Sequence, residues 1–223
     1  MGICLRPGDA RSYGPCVACA AEDGSQSLGL DQSFDLDEYL WQTWQAMALP
    51  EGYRAEIIEG AIEVSPTGRR RHAVLISRFR RALDAHLAGG DDAAHQDVDV
   101  IHHRRSWIPD LFVGPLELDE IPDEDDLGVD ASGVSMIVEV ASPGRRDIER
   151  DRVRKRREYA RAGIPVYVVV DDHDGDGAIT VLTSPEPKKA EYTDEHRIPY
   201  GKDAVIPEGP AKGLAIGDDV TRT

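Results

Sequence analysis

Cysteine is almost missing from this chain of 223 residues. There are three, Cys4, Cys16 and Cys19, all in the first twenty positions, so the body of the chain has none. Cys16-Val-Ala-Cys19 has the spacing of half a zinc site or of a redox pair. A structural zinc takes four ligands, and no nearby histidine completes the set. Long apolar runs are also missing. No stretch approaches the ~18–20 residues of a membrane span. No apolar segment of the secretory kind follows the first basic residue. Those two absences predict a cytoplasmic protein. Positive charge is the third shortage: the formal net charge is −16, whereas nucleic-acid binders tend to be basic, because phosphate neutralisation supplies much of their affinity.

What is present is unevenly spread, and distribution matters more than the sum. Arg69 to Arg81 holds six arginines and no acid; Arg145 to Arg161 holds nine basic residues and four acids; Glu117 to Asp130 holds eight acids and no base. The two basic runs are candidate phosphate-facing surfaces, with Arg70 and Arg71 in the first and Arg154, Arg156 and Arg157 in the second. Solvated helix faces would look the same. The acidic run reads as a solvated loop.

About 40% of the residues are hydrophobic, enough for one generous core. Residues 1–30 are rich in Gly, Ala and Ser without a clean period and read as a flexible leader. The domain is expected over 31–210, with 211–223 as a tail. Ser33 or Asp35 can cap a helix running to about Met47. Ala55–Ile58 and Ala61–Ser65 read as strands joined at Glu59-Gly60. Leu75, Phe79, Ala82, Leu83 and His86 form one stripe of a helix over 70–87, stopped by Gly89-Gly90. Strands follow at about 97–101, 108–113 and 134–140. The spacing predicts a helix over 147–162 ending at Gly163. Further strands are expected at 165–170, 178–182, 191–197 and 204–206. This order implies a mixed α/β sheet flanked by helices. Asp172 to Ile179 imitates the start of a calcium-binding loop, but Thr183 falls where a bidentate Glu is required, so a hairpin turn is expected.

The chemistry concentrates around Glu139. A carboxylate inside an apolar strand costs several kcal/mol if buried and unpaired. It therefore needs a partner, either a metal ion or an arginine at a sheet edge. Asp110 has a similar setting, ahead of Leu111-Phe112-Val113. Two carboxylates on neighbouring strands, with water and phosphate, make the oxygen-rich site that Mg²⁺ prefers. Asp147, Asp151, Lys155 and Tyr159 recur every four residues and share one helix face. That face could equally carry solvated i,i+4 salt bridges. Lys155 is the one lysine among eight arginines in its cluster. Unlike arginine, lysine can shift its pKa or act as a compact charge.

Five stretches together carry a resemblance: Asp37-Glu38-Tyr39-Leu40; Glu56-Ile57-Ile58-Glu59-Gly60; Pro109-Asp110; Ile137 to Pro143; and Asp151, Lys155, Tyr159, Gly163 with Val170-Asp171. In order and spacing, over about residues 33–183, the chain resembles the Uma-two restriction-endonuclease family of the PD-(D/E)xK nuclease superfamily. The resemblance implies a restriction-endonuclease-like central mixed sheet, with Mg²⁺ or Mn²⁺ bound by Asp110 and Glu139. It also implies that Glu56 or Glu59 completes or orients the site. The superfamily lysine lies two positions after the second acid, where this chain has Ala141. The family resemblance moves that role to Lys155. Position 59 is Glu where the family pattern has Asp, and His72 matches a position often occupied by histidine. A polar residue opening a helix would also account for His72. The function implied is metal-dependent hydrolysis of DNA; the local basic runs in an acidic chain make the expected binding weak and salt-dependent, and a homodimer is possible. The alternative is a non-catalytic nuclease-fold protein that binds a protein partner or nucleic acid, which the net acidity favours.

Overall fold

The computed structural model describes residues 35–66, 68, 70–122, 127–144 and 149–222, all within the unit Asp35–Thr223. The cysteine-bearing leader, Arg69 and Asp147 lie outside the described residues. Helix α1, Leu36–Gln45, starts where the Asp35 carboxylate accepts the backbone N–H groups of Asp37 and Glu38. It buries Trp41, and Trp44 donates its indole N–H to the Ala55 carbonyl at 2.9 Å. Strands β1, Tyr53–Ile58, and β2, Ala61–Pro66, form the expected antiparallel hairpin. Its two turn residues, Glu59 (φ 48°) and Gly60 (φ 72°), are both left-handed, the geometry that matches strand twist in a two-residue hairpin.

Helix α2, Arg70–Leu87, buries Leu75, Phe79 and Leu83, each worth ~1.5–3 kcal/mol of transfer free energy as an upper range. The next segment departs from expectation. In place of one strand over 97–101, the chain makes β3, Asp92–His95, then β4, Val100–His102, and β5, Arg105–Trp107. Asp97 has φ 59°, which interrupts any continuous strand, and Asp is among the residues that tolerate it. His103 and Arg104 are both left-handed and close a second hairpin, β4–β5.

Strands β6, Leu111–Pro115, β7, Val129–Asp130, and β8, Met136–Val140, follow. A π-helical segment, Arg150–Lys155, runs directly into α3, Arg156–Ala162. Gly163 (φ 77°) closes that helix, donating its N–H to Ala160 and Tyr159 carbonyls. Then come β9, Val166–Asp171, β10, Ala178–Glu186, and β11, Glu191–Pro199. The calcium-loop imitation is a turn between antiparallel β9 and β10.

The central sheet has the order β11-β10-β9-β8-β6-β3. Only the β8–β9 pair within it is parallel, so the sheet is mixed. One face packs on Leu75, Phe79 and Leu83 of α2. The other packs on Tyr159 and Ala160 of α3 and on Val100, Trp107 and Val129 of the small sheet β5-β4-β7. The segment expected as a tail is built into the domain. Strand β13, Ala215–Ile216, pairs with β12, Ala204–Val205, and α4, Asp218–Thr221, follows it. Ala211, Leu214, Ile216 and Val220 belong to the α2-side core. Arg71 donates to the Thr221 and Arg222 carbonyls at 2.7 and 2.8 Å, which fastens this end to α2. The spacing of apolar residues after 210 is too irregular to reveal this packing.

Candidate active site

Strand β6 pairs with β8 in the register Leu111↔Val138, Phe112↔Ile137. Continued by one residue, that register sets Asp110 opposite Glu139, and opposed residues share a face. The contact is direct: the Val140 N–H donates to Asp110 Oδ2 at 2.8 Å. Strand β8 lies between β6 and β9, so Glu139 is far from any sheet edge. An edge arginine is not its partner.

The partner is Lys155. Its Nζ lies 2.8 Å from Glu139 Oε1 and 2.8 Å from Glu56 Oε1. The Tyr159 hydroxyl donates to Glu139 Oε1 at 2.6 Å. Glu56 also accepts the Ile108 N–H at 2.8 Å, which ties β1 to the strand entry before Asp110. Lys155 is 0% exposed, Glu56 1% and Glu139 2%, so water does not screen these contacts. The π-helical segment delivers the lysine. Such segments occur mostly as single turns inside helices, frequently at functional sites. Tyr167 anchors it by donating to the Asp151 carbonyl at 2.7 Å, and Arg150 pairs with the Asp151 carboxylate at 2.9 Å.

Asp110 faces a different set of groups. His72 Nε2, in the first turns of α2, is 3.0 Å from Asp110 Oδ2. Arg54 Nη2, on β1, is 3.6 Å from Oδ1. Arg54, His72 and Asp110 also line a cavity of about 600 Å³ that runs beside α2. The buried acids Asp110, Glu139, Glu56 and Asp151 therefore meet three permanent cations, Lys155, Arg150 and Arg54, with His72 able to add a fourth charge.

This imbalance appears in the proton affinities. Burial above all pushes Glu139 up to about 7; Lys155 opposes this, while Asp110, Asp151 and Glu56 add to it. Burial also acts to raise Asp110, but the hydrogen bond and charge of His72, with Arg54 and the Val140 N–H, outweigh it and hold Asp110 below its ordinary value. Glu56 is likewise lowered, since Lys155 and Arg54 overcome its burial. Burial would strip the proton from Lys155, yet Glu139, Glu56 and Asp151 reverse that and raise its affinity. Lys155 is a committed cation. The His72 imidazole is raised too, because Asp110 overcomes its desolvation.

The other residues singled out from sequence lie elsewhere. Glu59 sits on the hairpin turn, paired with Arg157 Nε at 2.7 Å and Arg154 Nε at 3.2 Å. Arg154 also meets Glu63 and donates to the Ile58 carbonyl. Arg156 pairs with Glu195 at 2.8 Å. Arg71 is engaged with Asp172 and the C-terminal segment, and Arg70 is exposed at the start of α2. Sequence reasoning missed Arg54. Its signal was present as two charges, Arg54 and Glu56, at alternate positions of one strand. Tyr159 lies on the expected helix face, but its role as a donor to Glu139 has no signal in the spacing.

Asp110 and Glu139 suit a hard divalent cation. Both supply carboxylate oxygens on one sheet face, and both bonds to Glu139 fall on Oε1, leaving Oε2 outside them. Among the described residues, no group of three or more His, Cys, Asp or Glu side chains forms a metal cage. Mg²⁺ needs none, since it is usually held by one or two carboxylates with waters and substrate phosphate.

The site thus combines a mixed sheet, two acids on neighbouring strands and a buried lysine from the following helix. The chain belongs to the Uma2 family, described as "putative restriction endonuclease", which matches residues 38–207. Among solved structures, it is similar to a "putative nuclease belonging to DUF820" from Anabaena variabilis, with a TM-score of 0.58 and 18% identity over 83% of this chain and 97% of that one. At that identity the likeness concerns the fold. No curated protein matches the sequence. Among the described residues, no helix is long and apolar enough to cross a membrane.

Proposed function

We propose that this protein is a metal-dependent endonuclease that hydrolyses DNA phosphodiester bonds, with Asp110 and Glu139 holding Mg²⁺ or Mn²⁺. The observation that carries the proposal is the convergence of Asp110, Glu139 and Lys155 from two strands and a helix. When bound, the ion would polarise the phosphate and lower the pKa of a water. Asp110 is ready to coordinate, because His72, Arg54 and the Val140 N–H keep it ionised. Glu139 must first give up a proton that burial helps it keep. Lys155 is too good a cation to act as a base. Its role is to hold Glu139 and Glu56 in place and to offset negative charge developing at the phosphate, in a site where such an effect is worth more than in water. Tyr159 fixes the Glu139 rotamer.

Supercoiled-plasmid cleavage tests this. Nicking is expected with Mn²⁺ or Mg²⁺, none with chelator, and a loss of at least about a hundredfold in Asp110→Ala, the scale of removing one electrostatic stabiliser. The second reading, a non-catalytic nuclease-fold protein binding a protein partner or nucleic acid, draws on the net charge of −16 and on the engagement of Arg154, Arg156 and Arg157 by acids. Calorimetric titration separates the two, because only the nuclease requires Mg²⁺ or Mn²⁺ to bind through Asp110 and Glu139.

A further inference from the structure

The arginine-rich helix after Glu139 is the obvious place to seat a nucleic-acid backbone, yet among the described residues most of its arginines already face a carboxylate of the protein. Arg152 pairs with Asp171, Arg154 with Glu59 and Glu63, Arg156 with Glu195, Arg157 with Glu59 and Arg161 with Glu158. A phosphate could use them only by displacing a carboxylate already in place. The other side of Asp110 differs. The cavity of about 600 Å³ beside α2 is lined by Arg54, Ser77, Arg80, Arg81 and Gln96, with the carboxylates of Asp84, Asp97 and Asp110 also in its wall. Among the described residues, Arg80 is held only by an i,i+4 contact to Asp84 at 3.7 Å between two well-exposed side chains, a pairing worth at most a few tenths of a kcal/mol. Arg81 is exposed. The Arg54 ion pair with Asp110 is stretched to 3.6 Å, and among the described residues its buried Nε has no hydrogen-bond partner.

We infer that this cleft, walled by Ser77, Arg80 and Arg81 of α2 and ending at Arg54 beside Asp110, is the groove that holds the DNA phosphodiester backbone, in place of the arginine-rich α3 face. The inference rests on the proposed nuclease function and names the surface through which its substrate reaches the acids. From position 72 to position 81 a helix rises ~13 Å at 1.5 Å per residue, the axial span of about four nucleotides of one strand at ~3.4 Å each. The α2 arginines therefore meet phosphates a few nucleotides from the bond at Asp110. Arg54, fixed on β1, meets the phosphate at the acids themselves. Ser77 and Gln96 add neutral donors to the lining. Contacts from these charges to phosphate position the backbone and carry no sequence information.

Binding of a fluorescent 15-base-pair DNA, followed by anisotropy across a salt series with Ca²⁺ as a divalent ion of looser coordination, tests the inference. In Arg80→Ala/Arg81→Ala the affinity is expected to fall tenfold or more, and the slope of log affinity against log salt to flatten by up to ~0.9 per lost contact. Arg80→Lys/Arg81→Lys should keep most of that slope, since charge and not shape is used. Arg156→Ala/Arg157→Ala should leave both quantities unchanged. Loss in the Arg156/Arg157 pair with retention in the Arg80/Arg81 pair overturns the inference, as does equal loss in both or no wild-type binding at low salt. Plasmid nicking is scored separately. Metal-dependent nicking that ignores Arg80 and Arg81 defeats the groove and leaves the nuclease standing. Binding that needs them without nicking does the reverse.

Discussion

At the scale of single residues, the site is governed by the cost of burying charge. Lys155 sits at 0% exposure between two carboxylates. Breaking a buried pair by removing one partner typically costs ~3–5 kcal/mol, because the other charge is left uncompensated. Urea denaturation of Lys155→Met should therefore show a loss of that order. Adding Glu139→Gln and Glu56→Gln should recover much of it, since the uncompensated charges are then gone. If the single change is neutral, the ion pairs do not exist as described.

Glu139 gives a second residue-scale expectation, with a definite sign. Its affinity is raised to about 7 from an ordinary 4.5, so the folded protein holds a proton that the unfolded chain has released. Stability from this group is complete below the unfolded value and is lost as pH rises through the folded one. In metal-free protein, melting temperature should decline between about pH 5 and pH 7.5, and Glu139→Gln should flatten that decline. His72, also raised, contributes in the same direction at the upper end. Metal affinity runs the opposite way. A coordinating carboxylate must be deprotonated, so Mg²⁺ binding should strengthen as pH rises from 6 to 8. A melting temperature that climbs through this range without metal would contradict the assigned shift.

At the scale of elements, the hairpin and the helix that follows Glu139 form one device. Arg154 reaches Glu59, Glu63 and the Ile58 carbonyl, so it fastens the β1–β2 hairpin to the helix while Lys155, next in sequence, fastens Glu56 on the same hairpin. Two consecutive residues thereby hold β1 in the place where Glu56 and Arg54 meet the acids. Arg154→Ala should cost ~1.5–3 kcal/mol, the range for hydrogen bonds to charged groups. Arg156→Ala, whose Glu195 partner is 46% exposed, should cost under ~1 kcal/mol. Chemical denaturation of the two variants side by side checks the ranking; equal losses would mean that Arg154 is an ordinary surface pair.

At the scale of the whole molecule, the end of the chain is part of the core. Leu214, Ile216 and Val220 pack with Leu75, Phe79 and Val168, while Arg71 and Arg78 donate to the last carbonyls. Because α2 also carries His72 and the arginines of the cleft, loosening this end loosens one wall of the site. Removing residues 211–223 should cost at least several kcal/mol, by ~1.5–3 kcal/mol for each large apolar side chain lost. The truncated protein should show a lower urea midpoint or fail to fold. A truncation with unchanged midpoint would make 211–223 a tail outside the core.

The sequence by itself determined most of the elements and the identities at the centre of the site. Helical periodicity along Leu75, Phe79 and Leu83, the stop at Gly163 and the apolar strand around Glu139 are local signals, fixed by propensity and by which face must be buried. The same logic made Asp110 and Glu139 stand out, because a charge in an apolar frame needs a reason, while Lys155 stood out as the one lysine among the arginines of its cluster. Only the tertiary structure decided who meets whom. It put Glu56 against Lys155 and turned Glu59 away on a left-handed hairpin turn. It gave Arg154, Arg156 and Arg157 to carboxylates and left Arg54, Arg80 and Arg81 beside a cavity. These choices depend on residues up to about a hundred positions apart, such as Glu56 with Lys155. An ion pair carries no period along the chain, so the identity of a charge is legible in one dimension, while its partner is set by sheet register and helix packing in three.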